Sequence, residues 1–337
     1  NKLLLMYLLA FLVPFVFLSL FMYNILYSEL MEKRNTDLDY SVNKASQNIE
    51  NKLENVMATA SMVLLDPKLQ LYLQKEHKGD SYLEAYNYIE DRFNTVLLLN
   101  PGIVSLTLYI SNKTLPSDNV TICYIDRDAE PQPWYETLSK IQGKKIVYLP
   151  TTLKENKINP TKNVTENYVF TVVTQMQYYL LKHNNTILSM DVRENEIGSF
   201  VGSYGNEGQM LVIDSSGVVV ASADRENLGK SIGELYSLSS EPTGNEGWLD
   251  GYSSGNKVVV RHHLLKNGWR VVGLMSYGNL LHKVNTRLVQ VLGVCSAFLL
   301  LAVALVFFTS RFWTRRIKTL LRFMKQLEEG DFNIPHI

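Results

Sequence analysis

Two long runs without a single charged residue set the strongest limit on how this chain folds. The first, Leu3 to Tyr27, reads LLLMYLLAFLVPFVFLSLFMYNILY, and the second, Val291 to Phe308, reads VLGVCSAFLLLAVALVFF. A helix over the first covers roughly 37 Å at about 1.5 Å per residue, more than the roughly 30 Å of a bilayer's hydrocarbon core. The second run is shorter, and Leu288 to Gln290 extend it. Charged residues make up 20% of the chain, and one at a membrane centre costs about 2.5–3.5 kcal/mol. Two membrane helices are therefore expected. The first run is too long for the core of a signal peptide, and Ser28-Glu29-Leu30-Met31 offers no small-x-small cleavage pattern, so an uncleaved anchor is expected. The chain opens on Asn1 rather than Met, and a few residues are expected to precede it.

Flanking charge sets the orientation. Arg311, Arg315, Arg316, Lys318, Arg322 and Lys325 follow the second run, and Lys2 precedes the first. Basic flanks stay in the cytoplasm, which leaves residues 28–287 outside. The net charge is +0, with no basic patch in the outer segment to point to nucleic acid. Cys123 lies outside and Cys295 within the second run, so no internal disulfide is expected and the outer domain must be held by its core. The sequons at Asn112, Asn119, Asn163 and Asn184 read as polar surface loops.

In the outer segment, Leu38, Val42, Ala45, Ile49, Leu53, Val56, Ala60 and Val63 are spaced by threes and fours. That spacing predicts one long helix. Its stripe fits packing on its own domain and equally packing on a twin in a dimer. A second helix is expected over Tyr82–Leu98, then strands at Val104–Ile110, Val120–Ile125, Lys145–Leu149, Tyr168–Val173 and Thr186–Val192, with a helix starting at Pro133. A smaller unit follows: Gln209–Ile213 and Val218–Ala221 around Asp214-Ser215-Ser216-Gly217, then Lys257–Val260 and Trp269–Leu274 around Asn267-Gly268. From Tyr277 a helix leads into the second apolar run.

Catalytic and metal patterns dissolve on inspection. Gly251-Tyr252-Ser253-Ser254-Gly255 matches G-x-S-x-G, but a strand rather than a helix follows, so it reads as a polar turn. His262-His263 are adjacent on a strand and point to opposite faces, so they cannot chelate one ion. Asp126, Asp128 and Glu130 lack the glycine and final glutamate of a calcium loop. Gly202 to Gly208 has neither phosphate-loop nor dinucleotide spacing and reads as a linker. No catalytic residue, metal or cofactor is expected.

Several segments together resemble the double Cache sensor domain: Pro133-Trp134-Tyr135 after a strand ending in Tyr124, Leu188-Ser189-Met190-Asp191-Val192, Val212-Ile213-Asp214-Ser215-Ser216-Gly217, and Asn267-Gly268-Trp269-Arg270-Val271-Val272. Beyond the second run, Arg316-Ile317-Lys318-Thr319-Leu320 through Glu328-Glu329-Gly330-Asp331-Phe332 resembles the start of a HAMP linker, with Arg316 where that family has proline. The combination resembles YesM-like sensor histidine kinases of Gram-positive bacteria. The resemblance implies an α+β fold: a long N-terminal helix and two PAS-like antiparallel sheets, flanked by two transmembrane helices. The expected layout is a transmembrane helix at 3–27 and an outer sensor at 28–287. The sensor divides into a long helix at 28–66, a membrane-distal sheet unit at 67–204 and a membrane-proximal one at 205–280. A second transmembrane helix at 288–309 and a HAMP start at 310–337 complete it.

The same resemblance places a small-molecule pocket on the distal sheet, with Tyr124, Trp134, Tyr135, Tyr148 and Asp191 as candidate ligand contacts. For the aromatics the competing role is core packing; a buried acid is harder to explain without a partner. Relatives that bind amino acids carry an arginine two residues before the tryptophan, and Gln132 stands there. A sugar, a cation or a polar metabolite is therefore expected ahead of an amino acid. The implied partners are a second copy of the chain and a cytoplasmic response regulator, reached through a kinase part beyond Ile337. A chemotaxis receptor, a diguanylate cyclase and a sensor of a protein partner share the same sensing architecture.

Overall fold

The computed structural model describes residues 2–142, 145–154, 167–176, 186–204, 208–253 and 255–328. By internal contacts it divides into two compact units, Asn35–Tyr277 and the remainder, Asn1–Arg34 with Gly278–Ile337.

Helix α1 runs from Lys2 to Leu64, α2 from Pro67 to Gln74 and α3 from Ser81 to Leu99. All eight residues of the predicted stripe on α1 are buried, five of them completely. The stripe is thus spent on the domain's own core, and contact with a twin would need another face of the helix. The break after α1 comes at Asp66-Pro67. The Asp66 carboxylate accepts from the N–H groups of Lys68 and Leu69 and caps α2, whose first residue is proline, already set for a helical start.

The first sheet contains β1 (Ile103–Ile110), β2 (Ile122–Tyr124), β3 (Lys145–Lys154), β4 (Asn167–Met176) and β5 (Thr186–Arg193), with α4 (Pro133–Lys140) between β2 and β3. Its order is β2-β1-β5-β4-β3. One expectation is corrected here: β1 and β2 pair in parallel, Leu108 with Ile122 and Ile110 with Tyr124, while the other pairs are antiparallel. A parallel return needs a long connection rather than a tight hairpin, and residues 111–121 supply it. Strand β2 is also shorter than expected. The Asp118 carboxylate takes the N–H groups of Val120, Thr121 and Ile122. The Asp128 carboxylate takes that of Tyr124 and starts a π-helical turn at Ile125.

After the short helix α5 (Asn195–Gly198), the second sheet is built from β6 (Ser203–Tyr204), β7 (Gly208–Ile213), β8 (Val219–Ser222), β9 (Ser237–Leu238), β10 (Glu246–Ser253), β11 (Asn256–Leu264) and β12 (Arg270–Ser276), with α6 (Ile232–Leu235) before β9. The order is β6-β7-β12-β11-β10-β9, with β8 on β7. One face is a closed apolar cluster including Leu211, Ile213, Val260 and Val272. The expected turn at Gly268 has φ 88°, a conformation that glycine adopts without strain.

The two sheets meet at definite contacts. The Thr151 hydroxyl donates to the Val220 carbonyl at 2.5 Å. The Ser222 N–H donates to the Glu194 carboxylate at 3.2 Å. Trp269, from the turn between β11 and β12, packs edge-on against both Tyr148 and Phe170 with ring centroids 5.6 Å apart.

Helix α7 spans Tyr277–Glu328. Among the described residues, one stretch is long and apolar enough to cross a membrane, Val289–Arg322. The first apolar run is helical throughout as part of α1, but the side chains of residues 2–12 lie outside the described residues. Where they are described, both helices expose large apolar groups, among them Phe17, Phe21, Phe298 and Phe308. Of the HAMP-like segment, the part beyond Glu328 lies outside the described residues, as do the sequons at Asn163 and Asn184.

Candidate functional site

Side chains alternate across a strand, so the register of the first sheet decides which groups share a face. Asp191 pairs with Ser105 on one side and Thr171 on the other, and Thr171 pairs with Leu149. Two residues along, Ser189 lies between Thr107 and Val173, and beyond it Ile187 lies beside Tyr109. One face of β1 and β5 therefore carries a polar row that ends in an aromatic. Helix α4 and the turn before it cover the aromatic end: Trp134, Leu138, Ile125 and Ala129 pack with Val173 and Ile187, and Tyr109 and Tyr135 lean against them.

The polar end is organised by one carboxylate. Asp191 accepts from the Ser105 hydroxyl at Oδ2 and from the Thr171 hydroxyl at Oδ1, each at 2.6 Å. The Lys154 ammonium also reaches Oδ1 at 2.6 Å. These are the short bonds of an ionised acceptor. The Asp191 side chain is 14% exposed and that of Lys154 46%, so the acid is nearly covered while its cation lies half in solvent. At the other end, Tyr109 meets Trp134 at 5.5 Å and Trp134 meets Tyr135 at 6.2 Å, both nearly edge-on. Burial, then the nearby Cys123 and Asp191, push the Tyr109 phenol up to about 12. It stays protonated, a hydrogen-bond donor with no protein partner among the described residues. Burial likewise raises the Cys123 thiol to about 11, which makes it a poor nucleophile.

Three of the five residues singled out from the sequence, Trp134, Tyr135 and Asp191, share this face. Tyr148 and Tyr124 do not. Tyr148 pairs with Val172 and Val172 with Met190, a row that points to the opposite face. Tyr124 pairs with Ile110, and its hydroxyl donates to the Leu115 carbonyl at 2.8 Å. The sequence reading missed Tyr109, Ser105, Thr171 and Lys154. Ser105, Thr107 and Tyr109 form the odd-numbered face of an alternating strand, and that spacing was the available signal.

Arg127, near in sequence to the missing carboxylate clamp, is committed elsewhere. It pairs with Asp128 at 2.8 Å, donates to Ser117 at 2.9 Å and to Asn119, and lies over the Tyr124 ring. It pins the 111–121 connection. His262 is buried and His263 half-buried on successive positions of β11. Among the described residues, no group of three or more His, Cys, Asp or Glu side chains is placed to hold a metal ion. The arrangement offers stacking surfaces, hydroxyl donors and one compensated charge, the equipment of a binding site for a small polar molecule.

A search of curated proteins finds no match to this chain. Among solved structures, the fold is similar to the ligand-binding domain of Mlp24 with asparagine, at 14% identity and TM-score 0.51, over 75% of this chain and 98% of that one. It is similar to the same degree (14% identity, TM-score 0.51) to the ligand-binding domain of the amino acid chemoreceptor PctC of Pseudomonas aeruginosa in complex with GABA, over 70% of this chain and 96% of that one. The sequence itself matches the Cache domain family over residues 22–284, a span that takes in both sheets and the helix they pack on. The chain belongs to the Cache domain family, and its outer region is an extracellular ligand-sensing domain of a bacterial receptor.

Proposed function

We propose that this chain is the sensing part of a membrane-anchored, homodimeric sensor histidine kinase resembling the YesM group. In this reading the first-sheet face, the membrane-distal one, binds a small polar molecule. The observation that carries it is the Asp191 cluster joined to the Tyr109–Trp134–Tyr135 wall on one face of one sheet. A ligand that fits one conformation of that face better than another shifts the balance between them by its differential affinity. Helices 3–27 and 288–309 anchor the domain, and the shift passes along α7 to a HAMP linker beginning at 310 and so to a kinase and its response regulator. The seam Ile317, Leu320, Met324 and Leu327 supports the linker.

Within the face, the ligand stacks on Trp134 and Tyr135, accepts from the Tyr109 hydroxyl, and meets the Asp191–Lys154 pair with its polar end. Sugars, amines and polar metabolites suit those groups. Gln132, where an arginine would clamp a carboxylate, is the one feature against amino acids, and domains of similar fold are known with asparagine and with GABA, so amino acids belong in the same panel. The test is thermal unfolding of the full chain in detergent against sugars, amines, organic acids and amino acids. A ligand at a hundred times its Kd adds about 2.7 kcal/mol. The expected result is a compound whose stabilisation is lost in Asp191→Asn and in Tyr109→Phe. Stabilisation that survives both substitutions removes this face as the site.

A further inference from the structure

The opposite face of the first sheet holds a second opening. A groove of ≈ 580 Å³ lies between α1, β3 and the turn joining β11 to β12, a size typical of sites for small ligands. Its floor is the Tyr148 ring with Met57 and Leu53, and its rim carries Glu50, Glu54 and Lys266. The Tyr148 ring is fixed from behind by Trp269 at 5.6 Å, so it presents a held aromatic surface.

Charge and hydrogen bonding define the occupant. Two carboxylates face one ammonium: Lys266 Nζ is 2.9 Å from Glu54 and 3.7 Å from Glu50. Glu50 also accepts from the Lys266 backbone N–H at 3.0 Å. Glu54 is the freer acid, 62% exposed, and its lysine partner is 73% exposed, a pair too solvated to be held tightly. Glu54 and Tyr148 line the same groove, and burial, then the Glu54 charge, raise the Tyr148 phenol above its ordinary value. The rim thus keeps an excess negative charge next to an aromatic, the surroundings that favour an organic cation. Asn267 lines the groove from the side of the turn. Its oxygen accepts from the Trp269 N–H at 3.1 Å.

We propose that this groove is a second ligand site, separate from the Asp191 face, that takes a small organic cation such as an amino sugar or amino alcohol. The ammonium replaces Lys266 at Glu54, and the carbon frame lies on Tyr148. Because the walls come from α1, the first sheet and a turn of the second, an occupant ties all three together.

The test follows thermal unfolding of the full chain in detergent with D-glucosamine and choline as probes, against glucose and N-acetylglucosamine as uncharged controls. Dose-dependent stabilisation by a cationic probe and not by the controls is expected. Glu54→Gln weakens the apparent affinity about tenfold, the loss of one charge-assisted contact. Ala58→Trp, at an exposed position of α1 that lines the groove, fills it without touching the core and abolishes the effect. Asp191→Asn leaves the effect intact, which separates this site from the other face. Absence of any shift with both cations, equal shifts with the uncharged sugars, or an effect lost in Asp191→Asn each overturns the proposal.

Discussion

Asp191 is the residue on which the first-sheet face turns, and its partners differ in weight. Ser105 and Thr171 hold it with short hydroxyl bonds where its carboxylate is nearly covered. Asp191→Ala strands two hydroxyls and is expected to cost about 1–3 kcal/mol in denaturant unfolding. Lys154→Ala removes a half-exposed cation and is expected to cost under about 1 kcal/mol. Equal costs would show that the ion pair, not the hydroxyl pair, orders the site. A second residue-scale expectation concerns pH. Burial, then Arg270, Arg261 and His263, hold the His262 imidazole below its ordinary value, with Glu246 opposing. A depressed folded-state value means that the neutral ring contributes stability above about pH 6.5, which is lost as pH falls through the folded-state value. His262→Phe is expected to flatten the fall in melting temperature between pH 7 and pH 5; an unchanged profile assigns that fall to other groups. The double Cache resemblance named Trp134, Tyr135 and Asp191 as candidates, and the register puts these three on one face. Facing did not follow so easily: in Lys145-Ile146-Val147-Tyr148-Leu149 both alternate sets are largely apolar, so nothing in the pattern told which side Tyr148 takes.

Among the elements, α1 was the most legible because its stripe repeats over many turns, and burial of every stripe residue explains why. Strand β10 was invisible for the opposite reason. Its sequence, Glu246 to Ser253, holds two glycines and an aspartate, and its strand conformation comes from eight paired positions with β11 rather than from its own residues. Helix α1 and strand β12 fit closely at one glycine. A Cβ added at Gly273 would stand 2.6 Å from Val42 Cγ2 and 2.8 Å from Leu38 Cδ1. Both neighbours are fully buried and cannot swing aside. Gly273→Ala is therefore expected to cost about 1–3 kcal/mol by overpacking, even though alanine is the better residue for an ordinary strand. Chemical denaturation checks it. A neutral or stabilising result would mean that α1 rides on the second sheet loosely enough to shift.

At the scale of the whole outer domain, the question is whether its two sheets act as one body or two. Polar contact between them runs through Thr151 to Val220 and Glu194 to Ser222. Packing runs through Trp269, 2% exposed, which leaves the second sheet to lie against Tyr148 and Phe170 of the first. A core tryptophan cut to alanine costs about 3–5 kcal/mol, well above about 1 kcal/mol for an ordinary hydrogen bond, so the indole is expected to dominate the coupling. Native-state hydrogen exchange on the full chain separates the cases. In the parent protein the slowest amides of β3–β4 and of β11–β12 should share one opening free energy. In Trp269→Ala the β11–β12 amides should exchange faster while those of β3–β4 keep more of their protection. If both sets drop together, the hydrogen bonds alone suffice to couple the sheets, and Trp269 is only a filler of the space between them. The distinction bears on signalling, because a ligand on the first sheet can bias the second only through contacts whose two arrangements differ in energy.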